Sequence, residues 1–451
     1  MNDEFTYKEF RIDGDGQTVF FDYQIVHGND TYLLTETLRF PSALKDNERQ
    51  QACLRALHIA LGVSYYKIFM SPRIRHPYAM NADEASFWND VWRHGLGEFL
   101  YINKLDPANL AQFSAQDGAT ITHEPTHADS NEDSALLGIG GGKDSIVAGE
   151  TLKAIGLKLQ GFVMATGKQL GQAKAVADTM CIPLLVVERT IDKQLLSLQQ
   201  QPGAFRGHVP ISLIFGLVGA NIAVATNAAY IAVGNEASAS IPRINWQHGA
   251  VNHQWSKSFA FEVALQEFIR SRTDVTYFSA IRPLTSVAVA KLFAPLRQYF
   301  EVFTSDNSVF RIDPSQRPNA RWSLESPKSL SSFILLAPWL SEADLLTIFG
   351  RNFLDEPSLE TLFWELIGQQ GEPPLDCVGT TEELILSLAI AHSQGKFSDS
   401  HLMRLAIKRG VISEQNWPKQ LNATLTLQDQ HAFPPKLTEP IISRLREGLA
   451  S

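Results

Sequence analysis

Cysteine is scarce in this chain of 451 residues. Only Cys53, Cys181 and Cys377 occur, far apart and with no CxxC spacing, so the sequence offers neither a disulfide framework nor an evident zinc site. A reducing compartment is the expectation. Positive charge is also short: 39 Lys and Arg against 48 Asp and Glu leave a formal net charge of -9. A surface built to neutralise nucleic-acid phosphates rests on an excess of Lys and Arg, so no nucleic-acid partner is expected, although one small anion can still be held locally. The first residues, Met1 to Lys8, are acidic and aromatic and lack the basic start and apolar run of a secretory leader; a cytoplasmic protein is expected.

Long apolar runs are lacking too, with one stretch to weigh. No charged residue occurs from Val209 to Gly234, which is long enough to cross a bilayer. Pro210, Ser212, Asn221, Thr226 and Asn227 interrupt it, and it reads as a buried helix over about 211–227 running into a buried strand, Tyr230 to Val233. No membrane partner is expected.

The chain is 44% hydrophobic and 19% charged, a globular composition that can bury substantial cores. Its length implies more than one domain. Residues 1–130 are expected to form an α+β domain. Two alternating segments, Gln17 to Val26 and Thr31 to Leu38, are split by Gly28-Asn29-Asp30, the signal of an antiparallel hairpin. Helical patterns follow over Asn47 to Gly62 and Asp83 to Leu100, the second carrying Phe87, Trp88, Val91, Trp92 and Leu96 as core. The polar stretch Gln112 to Asp133 reads as a linker.

Residues 131–320 alternate apolar strands with helices: Leu136 to Ile139, a helix to about Ile155, Gln160 to Ala165, a helix to Met180, Pro183 to Val187, then the buried helix and strand named above. Such βαβ alternation implies a parallel sheet with its ligand site at the carboxyl ends of the strands. Residues 321–451 are expected to be helical, with segments Ser341 to Phe349, Ser358 to Gly368, Thr381 to His392 and Ser400 to Lys408.

The first strand of that α/β region runs into Gly140-Gly141-Gly142-Lys143-Asp144-Ser145 and then a helix. Successive glycines let several N–H groups converge on one anion, and the helix N-terminus adds partial positive charge. Lys143 can balance phosphate charge, Asp144 can hold a magnesium ion, and Ser145 can donate a hydroxyl hydrogen bond. A Walker A loop needs Ser or Thr where Asp144 stands, and GxGxxG needs glycine where Lys143 stands.

These six residues resemble the SGGxDS signature of the PP-loop ATP pyrophosphatases, with Gly140 in place of the usual Ser. The resemblance implies an α/β parallel-sheet domain that uses ATP and Mg2+ and releases AMP and pyrophosphate. Farther on, Phe205 to Pro210, Val233 to Ser238, and Val251 to Ser258 with Glu262 resemble segments of the ATP-dependent epimerases of UDP-N-acetylmuramoyl-L-alanyl-L-glutamate. That resemblance implies a small-molecule partner, the UDP-linked muramoyl dipeptide, whose terminal L-Glu is inverted through an acyl-adenylate in peptidoglycan precursor synthesis. It also implies nucleotide contacts from Gly140, Gly141, Gly142, Lys143, Asp144, Ser145, Thr166, Arg206 and Asn235, and magnesium at Asp144 and Glu236.

Inversion needs proton donors and acceptors on both faces of the α-carbon, or one mobile group, and the candidates are His208, Glu236, His253 and Lys257. Each also has a structural reading: His208 as a helix cap, Glu236 as a magnesium ligand or the partner of an Arg, Lys257 as a phosphate contact. Arg206 and Arg282 are candidates for anion contacts. The alternative activity is another PP-loop adenylating enzyme, an amide-forming ligase or a nucleobase-modifying synthase. Finally, Ser323, Ser326 and Ser329 stand at the spacing where related PP-loop proteins carry a CxxCxxC run. Serine is a poor zinc ligand, so a structural metal is not expected there, and an ordinary Ser-rich loop is the other reading.

Overall fold

The computed structural model describes residues 3–116, 131–165, 168–306, 308, 320–412 and 417–451. Among these, eleven strands occur: β1 (Glu4–Ile12), β2 (Thr18–His27), β3 (Asp30–Arg39), β4 (Ile74–Arg75), β5 (Asn131–Gly138), β6 (Lys158–Ala165), β7 (Leu184–Thr190), β8 (Ala228–Val233), β9 (Ile244–Trp246), β10 (Gly249–Val251) and β11 (Thr276–Ser279). Nine form one sheet in the order β11-β8-β5-β6-β7-β3-β2-β1-β4. The run from β11 to β7 is parallel throughout. The N-terminal strands join it when β3 pairs antiparallel with β7, Leu38 opposite Arg189. The expected hairpin is β2–β3, in continuous register from Thr18 opposite Arg39 to His27 opposite Asp30.

Alternation of side chains along the strands divides the interior into two cores. On β5, Leu136 joins one core while Ala135 and Leu137 join the other; on β6, Phe162 and Met164 separate in the same way from Val163 and Ala165. The first face is covered by the helices Glu48–Tyr66, Ile211–Thr226 and Phe259–Arg270, the second by Lys143–Ala154, Lys168–Met180, Ser286–Phe293 and the C-terminal helices. The C-terminal region therefore packs directly on the parallel sheet.

Local chemistry sets several boundaries. The Asn47 side chain accepts from Gln50 N and begins the helix Glu48–Tyr66; Asn81 does the same through Glu84 N for Ala82–Gly95. The helix expected over Asp83 to Leu100 is two helices, Ala82–Gly95 and Gly97–Asn103, joined at Leu96. Trp88 and Trp92 are core, as their spacing implies. Thr380 and Glu383 form a reciprocal capping box at Thr381–Ser393. Of the expected linker, residues 117–130 lie outside the described residues, and Asn131 to Asp133 already belong to β5. The uncharged stretch is the helix Ile211–Thr226 followed by β8, and among the described residues no helix is long and apolar enough to cross a membrane.

Candidate active site

In sequence order the five parallel strands are β5, β6, β7, β8 and β11, so the chain moves outward in one direction from β5 and then returns to its other side. The reversal falls between β5 and β8, where an open α/β sheet leaves a crevice at its carboxyl edge. Two loops meet there: Ile139 to Gly142 after β5, and Gly234 to Glu236 after β8. They touch so closely that a Cβ on Gly234 would stand 2.6 Å from the carbonyl carbon and oxygen of Asp144 and 2.9 Å from Ser145 N. A cavity of about 540 Å3 opens above them, within the range of small-molecule sites.

The glycine loop is built as an anion cradle. Gly141 adopts φ +86, the left-handed region that favours glycine, and its carbonyl accepts from Thr304 N at 3.0 Å. Gly142 starts the helix Lys143–Ala154 with no side-chain cap, which leaves the first amides of that helix to a ligand. Gly140, Gly142, Lys143, Asp144 and Ser145 line the cavity. Lys143 Nζ lies 2.5 Å from Asp144 Oδ1. Although burial opposes its charge, Asp144 and Glu236 hold the Lys143 ammonium above its ordinary value. The Ser145 hydroxyl donates to Gly142 O at 3.0 Å.

Glu236 Oε1 accepts from Ser286 Oγ at 2.5 Å. Its Oε2 is buried with no partner among the described residues. Burial, aided by Glu383 and Asp144 against Lys143, raises the carboxyl to about 8. An unpartnered carboxyl oxygen lining the same cavity as Asp144 is oxygen-donor chemistry of the kind that suits a magnesium ion. Asn235 also lines the cavity, its backbone pinned to Ser279 Oγ through N (2.8 Å) and O (2.6 Å).

Lys257 reaches the cavity from the short helix Trp255–Lys257. Its Nζ lies 3.5 Å from Cys377 Sγ, and that thiol is the first cause of the raised Lys257 value. Cys377, absent from the sequence-based candidates, comes from the loop before Thr381–Ser393 and lines the same cavity. His253 stands beside it, with a ring nitrogen within 4.8 Å of the sulfur, and its Nδ1 is hydrogen-bonded to Glu98 Oε2. His208 Nδ1 is 3.4 Å from that same carboxylate oxygen, and the two imidazoles lie 5.0 Å apart. Burial lowers His208 to about 4. Glu98, His208 and His253 bring ligand atoms within 4.8 Å of one another, as do His253, Asp376 and Cys377. The Lys257 ammonium stands beside the same sulfur.

Other expected site residues fall elsewhere. Arg206 is exposed, outside the cavity lining, with Nε donating to Gln199 O at 2.7 Å. Arg282 is buried rather than offered to an anion: it pairs with Glu262 and donates to the carbonyls of Glu236 (2.7 Å) and Lys257 (2.8 Å). Thr166 lies outside the described residues. Of the three spaced serines, Ser323 N and Ser329 Oγ donate to the buried Asp306 carboxylate at 2.7 and 3.1 Å.

Comparison with known proteins adds an independent line. Residues 1–280 match the MurL N-terminal domain and residues 302–422 the MurL C-terminal domain. A protein of Xanthomonas oryzae pv. oryzae named UDP-N-acetyl-alpha-D-muramoyl-L-alanyl-L-glutamate epimerase is 33% identical over 398 residues, covering 87% of this chain and 86% of the relative. A Salinispora tropica protein of the same name is 29% identical over 453 residues, covering 97% of each.

Proposed function

The chain belongs to the MurL family, and from that premise we propose that its cleft epimerises the terminal L-glutamate of UDP-N-acetylmuramoyl-L-alanyl-L-glutamate to D-glutamate at the expense of ATP, in the supply of peptidoglycan precursors. The single observation that carries the ATP part is the uncapped Gly142–Lys143 helix start at the reversal between β5 and β8.

The free amides of the loop and Lys143 bind the triphosphate. Asp144 and Glu236 Oε2 would hold a magnesium ion, which would supply charge neutralisation for the leaving pyrophosphate. Met164, Ala165, Ile211 and Phe215 give the cavity an apolar side suited to the adenine ring.

An α-proton beside a free carboxylate is hard to remove because the carbanion would form next to negative charge. Attack of the glutamate α-carboxylate oxygen on the α-phosphorus forms a C–O–P linkage, releases pyrophosphate and removes that charge. The carbonyl of the acyl-adenylate then accepts the electron pair left by the α-proton. Reprotonation on the opposite face and attack of water on the carbonyl yield D-glutamate and AMP. Proton transfer is assigned to the network around Lys257, His253 and His208, with Glu98 orienting the imidazoles. Arg282 holds the backbones of Glu236 and Lys257 at a fixed separation.

The test is incubation of the purified chain with ATP, magnesium and the UDP-linked dipeptide, followed by acid hydrolysis and chiral analysis of the glutamate. D-Glutamate that accumulates only with ATP supports the proposal; unchanged L-glutamate refutes it.

A further inference from the structure

Cys377 is the one thiol at the cleft. Cys53 is buried in the core, where loss of hydration pushes its thiol up to about 12; Cys181 is exposed and outside the cavity lining. The Cys377 backbone is tied by its N–H to Asp376 Oδ1 at 2.8 Å. Across the neighbouring backbone, the Arg243 side chain donates to Gly379 O. The groups around the sulfur come from three segments of the chain: Lys257 at 3.5 Å and His253 within 4.8 Å from one, Glu98 behind the imidazole, and Lys328, which lies 3.7 Å from the neighbouring Asp376. A thiol in contact with a lysine ammonium and beside an acid-held imidazole is arranged to exist as a thiolate.

We propose that Cys377 is a catalytic residue whose thiolate takes the α-proton of the activated glutamate. This rests on the epimerase reading above. It makes the C-terminal region part of the chemical centre and narrows the proton-transfer assignment of that reading: the sulfur is the base, and Lys257 and His253 are positioning residues that hold it charged. Burial alone would raise the thiol, but Lys257, Lys328 and His253 together bring it down to about 6. His253, against its own burial, is raised to about 9 by Cys377 and Glu98. Between those values the charged pair is the prevailing form.

The step balances without an oxidant or reductant. The Cα–H bond breaks, an S–H bond forms, and the electron pair moves onto the activated carbonyl. A different donor supplies a proton to the opposite face. The thiol later gives its proton to water, and the donor regains one from water.

The experiment uses the full-length chain and Cys377→Ser in D2O, with ATP, magnesium and UDP-N-acetylmuramoyl-L-alanyl-L-glutamate. For the variant the expected result is substrate-dependent AMP release close to that of the unaltered protein, while α-deuterium incorporation and D-glutamate formation fall by about 10²–10⁴-fold. A structural role would lower all three together. As a second measurement, unaltered protein alkylated by iodoacetamide at Cys377, located by mass, is expected to lose α-exchange, and prior saturation with the dipeptide substrate is expected to prevent alkylation. Undiminished inversion in either case overturns the proposal. So does glutamyl label held covalently on Cys377 after acid quench, which makes the sulfur a nucleophile. If the unaltered protein itself makes neither AMP nor D-glutamate, the epimerase reading fails first and this assignment falls with it.

Discussion

The Arg282 guanidinium lies 2.6 Å from the Glu262 carboxylate, with each side chain only 1% exposed, and it also donates to the carbonyls of Glu236 and Lys257. Removing one partner leaves the other charge buried and alone, which costs about 3–5 kcal/mol. Arg282→Met and Glu262→Gln are therefore expected to lower the unfolding free energy by roughly that amount, read by urea denaturation. A change under about 1 kcal/mol would show that the pair is not a structural clamp.

Lys143 faces the phosphates in this account, so its removal is expected to act on ATP chemistry and leave folding intact. For Lys143→Ala, substrate-dependent AMP formation is expected to fall by about 10²–10³-fold, with the thermal midpoint nearly unchanged. AMP formation at the unaltered rate contradicts the cradle assignment.

Gly234 tests the junction of the two loops. A methyl group there meets the Asp144 backbone at 2.6 Å, so the β8 loop or the helix start must shift, at a cost of about 1–3 kcal/mol. Gly234→Ala is expected to weaken ATP binding, measured calorimetrically, more than Gly140→Ala, because a Cβ on Gly140 meets nothing within 4 Å. Equal affinities would mean that the close approach does not shape the site.

His58 links stability to pH. It is fully buried, with Nδ1 at 2.5 Å from Tyr78 Oη and Nε2 at 3.2 Å from Asp22 O, and burial lowers it to about 4. The unfolded chain, with histidine near 6.5, then binds the extra proton between the two values. This contribution is present above about pH 6.5 and is lost as pH falls toward 4, by roughly 3 kcal/mol. Denaturant midpoints from pH 7 to 4.5 should show the fall, and His58→Gln should flatten it; an equally steep fall in that variant assigns the effect to other groups.

Much of the parallel sheet was legible because β5 to β8 are apolar runs separated by helices, a pattern fixed by burial on both faces. The hairpin β2–β3 was legible from alternation around Gly28-Asn29. By contrast β1, whose outer half is exposed, and β11, only four residues long, gave weak patterns. The glycine loop announced itself locally, since its chemistry lies in six consecutive residues. Cys377 and Glu98 did not: each meets His253 only through the tertiary fold, from positions more than a hundred residues away. Arg282 looked like an anion contact because sequence cannot show that Glu262 and two carbonyls already occupy its donors.

The most direct test of the central claim follows an oxygen atom. UDP-N-acetylmuramoyl-L-alanyl-L-glutamate carrying 18O in the glutamate α-carboxylate is incubated with the chain, ATP and magnesium, and the AMP is analysed by mass. If that carboxylate is adenylated and water then attacks the carbonyl carbon, one labelled oxygen stays on the AMP phosphate. D-Glutamate formed alongside unlabelled AMP would contradict hydrolysis of an acyl-adenylate at its carbonyl, and ADP as the product would contradict adenylation itself.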